Sequence, residues 1–158
     1  MSRLSHFDSH GASRMVDVST KEVTLREARA SGRVRMQPNT LRLIQNREIA
    51  KGDVLEVARL AGIMAAKRTA ELIPLCHTLP LEAVSVAFHF VDEVTVGVEA
   101  EARVRASTGV EMEVLVAVSV AALTIYDMCK SVDRSIVVEA VRLEEKSGGR
   151  SGRFVRQS

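Results

Sequence analysis

A chain of 158 residues with 46% apolar and 27% charged side chains suits one domain with a real core and excludes a disordered chain. Its formal net charge of +2 lacks the basic excess of a general nucleic-acid binder, so any anion binding must come from locally gathered Lys and Arg. Cys76 and Cys129 lie far apart, without CxxC or metal-ligand spacing, which fits two reduced thiols in a cytoplasmic protein.

The chain has one Tyr, four Phe and no Trp, so its core must be built from Val, Ala, Leu, Ile and Met. Residues 1–15 are rich in Ser, His and Gly and show no periodicity. They are expected to form a mobile arm, too polar for a secretion signal, ahead of a single domain at 16–146. No apolar run is expected to cross a membrane. From Ala28 to Met36 small or apolar residues alternate with Arg29, Ser31, Arg33 and Arg35, the period of a strand with an arginine-bearing outer face. Pro38 fits the first position of a short helix reaching about Asn46. Asp53 is a good N-cap for a longer helix, in which Val54, Val57, Ala58, Ala61 and Ala65 recur at helical spacing until Pro74 ends it.

Two strands are expected next, at about 82–90 and 94–105. A two-residue turn at Asp92-Glu93 would set Val86 opposite Glu99. A three-residue loop at 91–93 pairs Phe90 with Val94 and Val86 with Val98, which keeps the apolar faces together and is the register expected. Glu111 to Lys130 is a helix so continuously apolar from Val114 to Met128 that both its sides must be covered. A last strand, about 136–143, is apolar on both faces and is expected to be central; residues 147–158 follow as a flexible Gly/Ser/Arg-rich tail. The order β, α, β, β, α, β defines an α+β fold of the ferredoxin-like, split β-α-β kind: an antiparallel sheet with helices on one face. The uncovered face of the sheet and the wide apolar surface of the 111–130 helix favour an oligomer.

Charged residues interrupt these apolar elements in several places. Asp127 and Lys130 share a face at the end of the last helix, as a salt bridge or as a carboxylate acid/base beside a phosphate-holding cation. Glu111 and Glu113 open the same helix, where its dipole favours acids. They stand roughly 20 Å from Asp127 at 1.5 Å per residue, so a small substrate reaches both ends only across a subunit boundary. Lys51 precedes a helix start, where backbone N–H groups favour anions. Cys76 and His77 are adjacent in extended chain and point to opposite sides, which disfavours a thiol–imidazole dyad but leaves His77 open to proton transfer. His6 and His10 could catch a metal, but no metal site is expected.

These residues also carry a resemblance. The chain resembles the cyclic pyranopterin monophosphate synthase family (molybdenum cofactor biosynthesis protein C) in four blocks: Met15-Val16-Asp17-Val18-Ser19, Lys51 to His77, Thr108 to Lys130, and KSGGRSG from Lys146. The resemblance implies a hexamer built as a trimer of dimers with its active site at a subunit interface. It implies that a cyclised dihydro-GTP, supplied by a preceding radical SAM enzyme, becomes cyclic pyranopterin monophosphate with loss of diphosphate. By the same resemblance Asp127, Lys51 and Lys130 are expected to be catalytic. Leu75, Cys76, His77, Met112 and Glu113 are expected to touch substrate, with Glu111, Arg26 and Lys146 around the pocket. No resident cofactor is implied; Mg2+ accompanying the diphosphate stays open. One departure is that Thr78-Leu79-Pro80 follows His77, where the family is expected to place proline directly. A rival reading is a non-catalytic nucleotide-binding module of the same fold. An RNA-binding sheet ranks far lower, because the open face of the hairpin has no stacking aromatics.

Overall fold

The protein is described by a computed structural model, in which residues 6–157 are placed. The first strand, β1 (Thr24–Arg35), starts four residues earlier than the alternation suggested and is followed by α1 (Pro38–Gln45), with proline in its first turn. The next helix, α2 (Val54–Lys67), is capped by Asp53, whose carboxylate accepts the Glu56 N–H. It does not run to Pro74. The buried Thr69 hydroxyl donates to the Ala66 carbonyl at 2.9 Å and the Arg68 N–H tightens onto Ala65, which closes α2 and leaves a separate turn, α3 (Thr69–Leu72).

Strands β2 (Ala83–Phe90) and β3 (Thr95–Ala106) form the expected hairpin, but two residues out of the expected register: Phe90 pairs with Val96 and Val86 with Ala100. The loop is still three residues, shifted by one to 92–94, because the Asp92 carboxylate accepts the Val94 N–H at 2.8 Å while Val91 N–H donates to Thr95. A shift of two preserves which face each side chain takes, so the apolar faces remain together. The long helix α4 (Glu111–Cys129) precedes β4 (Val137–Ser147) and a two-residue β5 (Phe154–Val155).

The sheet order is β2-β3-β1-β4-β5, antiparallel throughout, with the helices on one face: the ferredoxin-like arrangement expected. The last strand is not central. It lies beside β1, while β5 covers it only at Glu145 and Lys146, and no residue within it is buried in this chain. The expected flexible tail folds back: φ values of +95°, +73° and +64° at Gly148, Gly149 and Gly152 permit the reversal, and Arg156 N–H returns to the Glu144 carbonyl. Of the expected arm, residues 1–5 lie outside the described residues. Residues 6–15 make a small turn closed by the Asp8 carboxylate on the N–H groups of His10 and Ala12.

The core lies between sheet and helices: Ala30, Val34, Val96, Val98 and Val104 meet Val114, Ala117, Val118, Ala121 and Ile125 of α4. By length and composition α4 passes for a membrane span, contrary to expectation, but the sheet on one side and α2 on the other account for its apolar character. Ser119 and Thr124 fit inside it because their hydroxyls donate to the carbonyls of Leu115 and Val120. Such close helix packing requires small residues. A Cβ on Gly62 of α2 would stand 2.9 Å from the Ala117 carbonyl oxygen of α4. Gly62→Val is therefore expected to destabilise the fold by about 2 kcal/mol despite removing a helical glycine. Thermal denaturation should show a fall of several degrees, and an unchanged midpoint would mean that the helices part freely.

On the open sheet face opposite charges face each other across strands, Glu27 with Arg103 and Arg29 with Glu101. On the helical side Val57, Leu60 and Met64 of α2 and Leu123 of α4 stay exposed.

Candidate active site

At the C-terminal end of α4 three expected residues meet. Lys130 Nζ donates to one oxygen of Asp127 at 2.6 Å, while Lys51 Nζ donates to the Asp127 backbone carbonyl at 2.8 Å and lies 3.5 Å from the other carboxylate oxygen. The first contact follows from the three-residue spacing on a helix. The second comes from 76 residues away, since the segment after α1 carries Lys51 to the end of α4. The hydrogen bond and charge of Lys130, then the charge of Lys51, hold the Asp127 carboxyl below its ordinary range; Asp127 in turn raises Lys130. All three side chains are about half exposed, where ion pairs add little stability. Convergence of two cations on one carboxylate at the surface is better explained by chemistry than by folding. Beside them, the lone Tyr126 packs partly against the core, and the buried Cys129 thiol is pushed up to about 11, chiefly by burial.

The other expected residues gather at the N-terminal end of α4. Leu75, Cys76, His77, Glu111, Met112 and Glu113 line a cavity of ≈ 300 Å³. Glu113 is 4% exposed, and burial pushes its carboxyl up to about 7, into the range where a group gives or takes protons at neutral pH. Burial, then the charge of Glu113, raises the Cys76 thiol, so it stays protonated and is no thiolate nucleophile. His77 Nε2 lies 2.8 Å from the Val16 carbonyl oxygen. A carbonyl only accepts, so Nε2 donates to it and Nδ1 is the ring nitrogen left open to a ligand.

A wider cleft of ≈ 750 Å³ adjoins this cavity through Lys21, Thr108, Gly109 and Glu111, and it contains Arg26 and Lys146. Arg26 is braced by its Nε–H on the Ala106 carbonyl and lies against the backbone of Gly149, where a Cβ would overlap its guanidinium. Lys146 donates to the Ser151 hydroxyl. Sequence reasoning missed Lys21, Arg150 and Thr24 here. The first two sat in stretches without periodicity, and Thr24 fell outside the expected strand. The Thr24 hydroxyl is buried without a hydrogen-bond partner, an arrangement that favours a ligand acceptor beside it. Among the described residues no three His, Cys, Asp or Glu side chains gather to hold a metal ion.

The two ends remain apart. Glu113 and Asp127 are separated by 14 helical positions, about 21 Å. One chain therefore offers a carboxylate between two cations at one end of α4, and a buried acid with a cation-lined cleft at the other.

Fold and site together define an α+β ferredoxin-like protein equipped for acid–base chemistry on an anionic ligand. The sequence model of the MoaC family matches residues 15–149, and the chain belongs to that family. It is 59% identical over 160 residues to a "Cyclic pyranopterin monophosphate synthase" of Heliobacterium modesticaldum, covering 99% of each chain. It is likewise 59% identical to the protein of that name from Magnetococcus marinus, covering 100% of this chain and 98% of the relative. A "Cyclic pyranopterin monophosphate synthase 3" of Mycobacterium tuberculosis (strain ATCC 25618 / H37Rv) is 58% identical over 153 residues, 97% of this chain and 86% of that one.

Proposed function

We propose that this protein is a cyclic pyranopterin monophosphate synthase of molybdenum cofactor biosynthesis. It is a phosphorus–oxygen lyase that converts (8S)-3',8-cyclo-7,8-dihydroguanosine 5'-triphosphate into cyclic pyranopterin monophosphate and diphosphate. The observation that carries this reading is the placement of Asp127 between Lys51 and Lys130, ionised and at hydrogen-bond distance from both.

The triphosphate brings about four negative charges, and Arg26, Lys146, Lys21 and Arg150 along the cleft balance them. Opening the purine-derived ring and closing it as a pterin moves protons at several atoms. Glu113, near neutrality, supplies them, and His77 Nδ1 accepts them. Asp127 then takes the proton of the ribose-derived hydroxyl as its oxygen attacks the α-phosphorus. The bond from the α-phosphorus to the bridging oxygen breaks, diphosphate leaves, and Lys51 and Lys130 stabilise the developing charge. Any Mg2+ would enter as counter-ion of the diphosphate, part of the substrate and not of the protein.

Because the two groups stand at opposite ends of α4, the working site combines them from two subunits. The exposed Val57, Leu60, Met64 and Leu123 support self-association. The proposed assembly is a homohexamer, a trimer of dimers, acting in the cytoplasm after a radical SAM enzyme. The direct test adds purified protein to freshly prepared cyclic dihydro-GTP and measures diphosphate. One diphosphate released per substrate consumed is the expected result. Binding without release would favour the nucleotide-binding module.

A further inference from the structure

The three charged groups at the end of α4 come from two elements, and something must hold one against the other. Lys51 hangs from the C-terminal end of α1. There the Glu48 N–H donates to the Leu43 carbonyl and the Arg47 N–H to Ile44, with Arg47 in the left-handed region at φ 57°. Ile49 is buried, and the Gly52 N–H returns to its carbonyl at 3.0 Å. Lys51 thus sits in the link from α1 to the Asp53 N-cap of α2, and a shift of α1 moves one end of that link.

The other end of α1 is short of caps. Gln37 makes no side-chain cap and the first turn has no acid. Asp133, which follows α4, supplies both. Its Oδ2 accepts the Gln37 N–H at 2.9 Å and the Thr40 hydroxyl at 3.1 Å. Its Oδ1 accepts the Ser135 N–H at 2.9 Å and the Ser135 hydroxyl at 2.6 Å. Its own N–H donates to the carbonyl of Cys129, the last residue of α4. Asp133 and Thr40 are each 3% exposed. Burial works against the charge, yet the bonds from Gln37, Ser135 and Thr40 hold the carboxyl below the ordinary aspartate value. It therefore stands as an anion at the positive end of α1.

One buried carboxylate thus pins α1 to the end of α4. We infer that Asp133 is a positioning residue of the active site, setting the separation between Lys51 and Asp127 without touching substrate. The inference rests on the proposed function for its kinetic readout only.

The test compares Asp133→Asn and the milder Thr40→Val with Val98→Ala, a core variant in β3. Two quantities are read in each: steady-state diphosphate release, and titration of the Asp127 carboxyl carbon by NMR. Lys51 and Lys130 are the cations facing that carboxylate among the described residues, so the titration senses withdrawal of Lys51. In Asp133→Asn kcat should fall between about ten- and a hundredfold with KM within about twofold, and the Asp127 midpoint should move upward. Thr40→Val should do the same to a smaller extent. Val98→Ala should lower the melting temperature and leave both quantities unchanged. Folded Asp133→Asn or Thr40→Val with the parent's kcat and Asp127 midpoint would overturn the inference. Should the parent itself release no diphosphate, the functional reading falls, while the titration still decides the positioning role. If Asp133→Asn does not fold, Thr40→Val carries the same test.

Discussion

Asp127→Asn is expected to lower the rate of diphosphate release about a thousandfold while leaving KM within a few-fold. The substitution keeps size and hydrogen-bonding reach but removes the ability to take a proton. The carboxylate it replaces is already ionised at neutral pH, because Lys130 and Lys51 both favour its charged form. Asparagine between the same two lysines can bind the substrate's charge no worse, so the loss should fall on kcat. The same variant also tests the divided site. Mixed and reassembled with inactive Glu113→Gln chains, it should recover about a quarter of the parent activity, since half of the random pairs then hold one intact site in two. A mixture as inactive as its components would place both groups in one subunit's site and sink the two-subunit reading. An Asp127→Asn enzyme of parental speed, with normal assembly, would remove Asp127 from the chemistry.

Glu113→Gln should change stability as well as activity. The folded carboxyl is raised above its ordinary value of 4.5 to about 7, mainly by burial. Between those pH values the folded chain keeps a proton that the unfolded chain has lost. Stability of the parent therefore falls as pH rises through that window, by roughly 2 to 3 kcal/mol after some allowance for solvent screening. Glutamine is neutral at every pH and removes the slope. Urea denaturation at pH 5 and pH 8 is expected to show a falling midpoint for the parent and a level one for Glu113→Gln, with the variant the more stable at pH 8. A parent–variant difference that stays constant with pH would show that Glu113 is charged in the fold. The raised value is the condition on which the proposed proton-donor role of Glu113 rests, and the variant should lose turnover along with the slope.

Much of this was readable from residue order, and the failures have local causes. Alternation from Ala28 to Met36 and helical spacing from Val54 onward located β1 and α2, because burial on one face imposes those periods. Side-chain parity also placed the hairpin faces correctly. Parity is blind to a shift of two, so the register turned on Asp92, whose carboxylate moves the loop by one residue. The break at Arg68 was hidden for a similar reason: Thr69 looks like any helical residue until its hydroxyl finds the Ala66 carbonyl. Composition made 147–158 look flexible, yet its glycines supply the positive φ values of a reversal that Arg153 and Arg156 then fasten to β4. The site was legible where residues share a helix, as with Asp127 and Lys130, or a block of family resemblance. Lys21, Thr24 and Arg150 were not, because what gathers them is the return of β4 alongside β1 and no spacing along the chain. Asp133 escaped for the same reason, its partners lying 93 and 96 positions away.

The scarcity of aromatic residues has an optical consequence. With no Trp and a single Tyr, the near-ultraviolet absorbance and emission of the chain originate almost wholly from Tyr126. That ring is the immediate chain neighbour of Asp127 and lies one helical turn from Lys130. The protein thus carries an unlabelled reporter at the C-terminal end of α4, placed to sense whatever settles between the two lysines.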